Sequence, residues 1–167
     1  MIARMAPSQS DRADTAGVLI SPPVLYLGAL GLGFGLDAAL PIRFAPSGLD
    51  DGLQYGLGGA LIAVAGTLAA TAMRQFRRAG TNVPTYRPTT ALVTRGVYAL
   101  SRNPIYVALS LLMAGIAVTT DRVWILIWLV PVLAIMRFGV IAREERYLER
   151  KFGAPYRAYK VRVRRWL

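Results

Sequence analysis

Four long apolar blocks, parted by polar and charged connections, constrain this chain more than any other feature. They run over residues 17–36, 53–73, 105–119 and 123–142. A helix needs about 20 apolar residues to cross a bilayer, within a range of about 17–25. The first two blocks meet that length. The third and fourth are joined only by Thr120, Asp121 and Arg122, which predicts a tight helical hairpin whose first arm is short or tilted. The pattern predicts an all-α, polytopic integral membrane protein with about four transmembrane helices. The 167 residues suit one domain, over residues 17–167, preceded by a polar tail at 1–16 that is expected to be disordered.

Charge fixes an orientation. The second connection holds Arg74, Arg77, Arg78, Arg87, Arg95 and Arg102 and no acid, and from Arg137 onward ten basic residues face Glu144, Glu145 and Glu149. The first connection has Asp37, Asp50 and Asp51 against Arg43, and the third has Asp121 beside Arg122. The positive-inside rule then puts the second connection and both termini in the cytoplasm, for a protein of the inner or plasma membrane. Four crossings require both ends on one side, so the two arguments agree. A formal net charge of +11 could instead speak for nucleic acid. Its concentration beside the apolar blocks fits lipid phosphates better, and no nucleic-acid partner is expected.

There is no cysteine and no histidine. That removes disulfides, thiolate nucleophiles, and the commonest metal ligand and general base. A zinc enzyme and a histidine-dependent triad are excluded, and no metal site is expected. The N-terminus lacks a convincing cationic n-region, and Pro22 and Pro23 interrupt its apolar stretch, so a retained first helix is expected rather than a cleaved signal.

Within the spans, Gly31 and Gly35 lie four apart, as do Gly52 and Gly56, a spacing that lets helices approach closely. The "GLGFG" run of the first span lacks the preceding strand that a nucleotide loop would need. Asp50 or Asp51 can cap the second helix. Residues 74–104 form the longest non-apolar stretch, and Gly80, Pro84, Pro88 and Gly96 argue against one continuous helix there. So long an irregular segment between membrane helices suggests part of a site. Beyond the hairpin, apolar positions 147, 148 and 152 have helical spacing, with a stop at Gly153 and Pro155 just after. The following aromatic and basic residues suit an interfacial C-terminal helix.

The stretch "YALSRNPIY", residues 98–106, opens the third helix, and Pro104 suits a first turn. Glu144 and Glu145 close the fourth at the same face, because a short hairpin brings its two ends together. Arg-X-Pro-X-Tyr, a hydrophobic hairpin and then Glu-Glu resembles the isoprenylcysteine carboxyl methyltransferase family and its phospholipid methyltransferase relatives. The resemblance covers residues 90–159, with "LVTRGVYALSRNPIY" and "EERYLERKFGAPYRAY" as its motifs. It implies a pocket for S-adenosylmethionine between the hairpin and the preceding loop, drawn from residues 90–106 and 137–150. Its cofactor-binding residues would be Thr90, Ala91, Leu92, Val93, Tyr98, Arg102, Asn103, Pro104, Ile105, Tyr106 and Glu144.

The family's usual histidine is Asn103 here, and its substrate-binding arginine, one turn before the glutamate, is Val140. Arg137, two α-helical turns before Glu144, could serve on the same face, so Glu144 and Arg137 are the candidate catalytic residues. Other roles stay open. Arg137 can snorkel to phosphates, Arg102 can hold one, and Glu145 can pair with Arg143 or Arg146 on the helix surface. The resemblance implies a methyltransferase acting on a hydrophobic small molecule, lipid or lipidated substrate delivered from the membrane. An NADPH-dependent reductase of the sterol-reductase type and a non-catalytic membrane scaffold are the alternatives.

Overall fold

The computed structural model describes residues 16–18, 20–44, 50–83 and 88–167; the expected disordered tail lies outside them except for Ala16, which is buried. Helix α1 spans Pro22–Ala39, α2 Asp51–Arg78, α3 Pro104–Thr119 and α4 Val123–Ile135. A π-helical segment, Met136–Ile141, carries α4 without a break into α5, Ala142–Phe152, and α6 follows over Ala154–Arg162. No strand occurs among the described residues. Three helical stretches, α1, α2 and the continuous 123–152 rod, are long and apolar enough to cross a membrane. This is the fold of a polytopic helical membrane protein.

Helix α3 is the short arm, its 16 residues covering about 24 Å at 1.5 Å per residue. The α3–α4 turn is as tight as its sequence predicts, with Asp121 in the left-handed region at φ 50°, which aspartate tolerates. Helix α2 extends five residues past its apolar block, through Arg78, so the irregular connection starts later than composition alone suggests. Asp50 stands at the N-cap of α2 without a side-chain capping bond; its carbonyl accepts from the Leu53 and Gln54 amides. Gly153, at φ 58°, ends α5 and turns the chain into α6, where Pro155 sits in the first turn.

Lipid tails are as apolar as leucine, so close backbone approach matters more between membrane helices than burial from water. The glycines that permit it differ from those the four-residue spacing singles out. Gly31, Gly35 and Gly56 face open space, and Gly52 meets only the Asp50 side chain. The close contacts are at Gly33, against Ile125, and at Gly58 and Gly115, which face each other across α2 and α3. Spacing identifies small residues but cannot say which face of the helix meets its neighbour. A Cβ on Gly58 would lie 2.8 Å from the Thr119 backbone nitrogen and 3.0 Å from the Gly115 carbonyl oxygen. Overpacking costs about 1–3 kcal/mol, partly offset by about 1 kcal/mol of helix propensity gained on replacing glycine. Gly58→Ala is therefore expected to lower the melting temperature in detergent, whereas Gly56→Ala leaves it unchanged or raises it.

The end of the bundle bearing the α3–α4 turn is clamped by a buried carboxylate. Asp37, 2% exposed, accepts from Arg43 at 2.9 Å and pairs with Arg122. Arg43 also donates to the Asp121 carbonyl, and Asp121 accepts the Phe44 amide. The sequence reading treats these residues only as charges that report topology. They tie the end of α1 to the hairpin. At the opposite end, the Tyr26 hydroxyl lies 2.7 Å from that of Ser110, joining α1 to α3.

Candidate functional site

The opposite end of the bundle gathers the polar residues of the connection, the first turn of α3, helix α5 and the segment after α6. Gln75, near the end of α2, lies against the 3-10 turn Gly96–Ala99 that contains Tyr98. Gly96 has φ 60°, and a Cβ there would overlap the Gln75 side chain, so this turn requires glycine. The Tyr98 ring packs edge-on against Phe76, with centroids 5.1 Å apart. Serine and asparagine organise the entry to α3: the Ser101 hydroxyl accepts the Asn103 amide, and the Asn103 carbonyl accepts those of Tyr106 and Val107. Pro104 then begins the helix.

These elements enclose a hollow. From the connection come Thr89, Ala91, Leu92 and Val93, then Tyr98. Arg102, Asn103, Pro104, Ile105 and Tyr106 follow at the start of α3, facing Glu144, Glu145 and Leu148 of α5 and Tyr156 and Tyr159 of α6. The hollow is a narrow cavity of about 70 Å³. Thr90 is turned away. Its amide and that of Ala91 donate to the Thr81 hydroxyl, its own hydroxyl donates to the Gly80 carbonyl, and Thr89 takes the place in the wall.

The two glutamates have different neighbours. The Tyr106 hydroxyl donates to Glu144 Oε1 at 2.7 Å, in a buried contact that bridges α3 and α5. Glu145 is also buried, and its partners are not the surface arginines of its own helix. Arg143 donates to the Gly17 carbonyl and Arg146 to the Ala142 carbonyl. Glu145 pairs instead with Arg102 Nη2 at 3.0 Å, and with Arg165 in a two-pronged contact at 3.0 and 2.6 Å. Nearest neighbours along a helix were the obvious partners, but the segment after α6 folds back and brings Arg165 within reach. Its hydrogen bonds to Glu145 raise the Arg165 pKa further above its ordinary value.

Arg137 lies elsewhere. Seven residues make about two α-helical turns, which would align it with Glu144, but the π-helical segment spends more residues on each turn and breaks that register. Arg137 is exposed and lines a separate apolar groove of about 550 Å³ between α3 and α4, together with Val107, Ala114, Phe138 and Trp166. It does not line the hollow that contains Glu144.

Sequence reasoning missed the contribution of the chain beyond Gly153. The Tyr159 hydroxyl donates to the Tyr98 carbonyl at 2.7 Å. Asn103 Nδ2 donates to the Arg165 carbonyl at 2.8 Å, and the Arg102 amide donates to that of Arg164 at 3.0 Å. The signal was an alternation of aromatic and basic residues that an interfacial anchor would also show. Burial raises the Tyr98 and Tyr156 phenol pKa values and pushes that of Tyr159 up to about 12. All three are neutral hydroxyl-bearing rings at physiological pH.

The comparisons with known proteins decide the family. A sequence model described as phospholipid methyltransferase matches residues 53–155, from the start of α2 into α6. The chain belongs to the phospholipid methyltransferase family. An uncharacterized protein of Haemophilus influenzae is 51% identical over 65 residues, which cover 35% of this chain and 97% of that protein. No solved structure matches the chain. The family is one of membrane methyltransferases, and its matched region contains the connection, the α3–α4 hairpin and both glutamates. The closing segment at 163–167 lies beyond it.

Proposed function

We propose that this membrane methyltransferase uses S-adenosylmethionine, held in the hollow between the start of α3 and Glu144, to methylate a hydrophobic substrate that arrives from the bilayer. The observation carrying this reading is the set of buried polar groups left without acceptors around the hollow. Among the described residues, the Tyr98 hydroxyl and two nitrogens of Arg102, Nε and Nη1, have no hydrogen-bond partner. Buried donors without acceptors cost about 1–3 kcal/mol each, and such groups are rare enough to call for a ligand or water. The tyrosine faces suit a sulfonium cation. The positive end of the α3 dipole suits an anionic group, and Glu144 can accept from an amine or from ribose hydroxyls.

The bound cofactor would supply a methyl group on positively charged sulfur. An acceptor's lone pair would form the new bond to that carbon as the carbon–sulfur bond broke, with sulfur keeping the electron pair. Alignment and exclusion of water matter more to such a step than proton chemistry. A carboxylate acceptor needs no base. An amine acceptor must be neutral, and Glu144 is placed in this reading to take its proton. At about 70 Å³ the hollow is smaller than the sites of about 300–1,000 Å³ that take small molecules. Cofactor entry therefore requires outward movement of the 88–95 segment, which is held by amide bonds to the Thr81 and Tyr147 hydroxyls. Arg137 in the α3–α4 groove is the candidate contact for the head of the acceptor. In this reading the hollow faces the cytoplasm, which the basic residues of the second connection and of the C-terminal segment support by the positive-inside rule.

Calorimetry on the detergent-purified chain tests the reading. S-adenosylmethionine is expected to bind, and binding should fall at least about tenfold in both Tyr98→Ala and Glu144→Ala, the loss of one to two charge-assisted hydrogen bonds. Binding of NADPH instead would mark a reductase. Binding of neither would mark a scaffold.

A further inference from the structure

We infer that Arg165, outside the matched family region, is a positioning residue: through Glu145 it aims Arg102 at the carboxylate of the cofactor's amino-acid end. This rests on the reading that the hollow binds S-adenosylmethionine. Glu145 is 6% exposed and takes Arg102 on one oxygen while Arg165 grips both, at 3.0 and 2.6 Å. Two guanidinium groups share one carboxylate, so the cluster retains net positive charge beside the hollow. Of the two arginines, Arg102 is the one that lines it. Its side chain is 10% exposed, it lines the hollow, and only Nη2 is engaged with Glu145, leaving Nε and Nη1 without an acceptor among the described residues.

A guanidinium presents its donors as a planar fork that matches a carboxylate. The ion pair of Nη2 with Glu145 orients the group and therefore where its remaining donors point. Glu145 needs to be held for that, because a carboxylate at the end of three rotatable bonds would follow Arg102 rather than direct it. Arg165 supplies the hold. It is anchored in turn by the main chain: its carbonyl accepts Asn103 Nδ2, and the preceding carbonyl, of Arg164, accepts the Arg102 amide. Residues 102–103 and 164–165 are thus tied by two hydrogen bonds. The second glutamate, Glu144, stands across the hollow with Tyr106 on one oxygen. A net-positive cluster and a separate carboxylate in one hollow match a zwitterion, which the amino-acid end of the cofactor is.

Ligands that differ only in that carboxylate provide the test. S-adenosylmethionine and its decarboxylated analogue are titrated by calorimetry into the intact chain and into Arg165→Ala and Arg165→Lys, with helical circular dichroism checking the fold. The wild type is expected to prefer the carboxylate-bearing ligand by about tenfold or more, the scale of a hydrogen bond to a charged group. Arg165→Ala should erase most of that preference by weakening S-adenosylmethionine alone, leaving the analogue within about twofold. Arg165→Lys, which keeps the charge but not the fork, should fall between. Equal weakening of both ligands would make Arg165 a general support of the fold and overturn the inference, as would an unchanged preference. If the wild type binds neither ligand, the cofactor reading itself fails.

Discussion

Glu145→Ala is expected to abolish cofactor binding and to destabilise the site end of the protein by about 3 kcal/mol. Removing one partner from a buried ion pair costs about 3–5 kcal/mol, because the remaining charge is left desolvated. Here two charges would be left. Arg102 and Arg165 would face each other across the vacated position, with side chains 10% and 28% exposed. The partial solvation of Arg165 keeps the cost at the low end of the range. In a chain of this size, a loss of 1 kcal/mol lowers the melting temperature by roughly 2–4 °C, so a drop of about 6–12 °C in detergent is the expected reading. Glu145→Gln keeps the shape and one acceptor, and should lie between the two. An alanine variant as stable as the wild type would mean that the three charges are solvated and that the closing segment does not hold the site.

The second large effect lies at the other end of the bundle. Asp37→Ala removes the carboxylate that gathers Arg43 and Arg122 at the α3–α4 turn. Those arginines are 42% and 30% exposed, so water recovers part of the loss, and about 2 kcal/mol is expected rather than the full cost of a buried pair. Cofactor affinity should not change, since none of these residues lines the hollow. The pair of variants thus separates two functions of a buried carboxylate: Glu145→Ala loses stability and binding together, Asp37→Ala stability alone. A calorimetric titration of Asp37→Ala that differed from wild type by more than about threefold, or roughly 0.7 kcal/mol, would contradict this division.

What the sequence made legible follows from which physical signals are local. The apolar blocks specified the membrane helices, since length and hydropathy suffice for that. The "TDR" connection implied that residues 102–106 and 144–145 lie at one end, and the structure brings Tyr106 and Glu144 into direct contact. Four features were not legible, each because it depends on a rotation, a distant partner or an irregular backbone. The π-helical segment 136–141 separates Arg137 from Glu144, and no residue in "MRFGVI" announces a wider turn. Gly33 and Gly58 make the close contacts that Gly31, Gly35 and Gly56 were expected to make, because a helix face is chosen by its neighbour. Arg165 reaches Glu145 across 20 residues and a reversal at Gly153, so Glu145 alone of the acidic pair read as a surface charge. Thr89 rather than Thr90 lines the hollow, a difference of one position in an irregular segment where no periodicity fixes which side chain turns inward.

Ultraviolet irradiation of the purified chain with methyl-tritiated S-adenosylmethionine, followed by digestion and mass spectrometry of the labelled peptides, tests the location of the site most directly. Label is expected on peptides containing residues 91–106 and 144–159, and excess unlabelled S-adenosylhomocysteine should displace it. Displaceable label confined to the α3–α4 turn or to α1, or label that no competitor reduces, would contradict a cofactor site between the start of α3 and the paired glutamates.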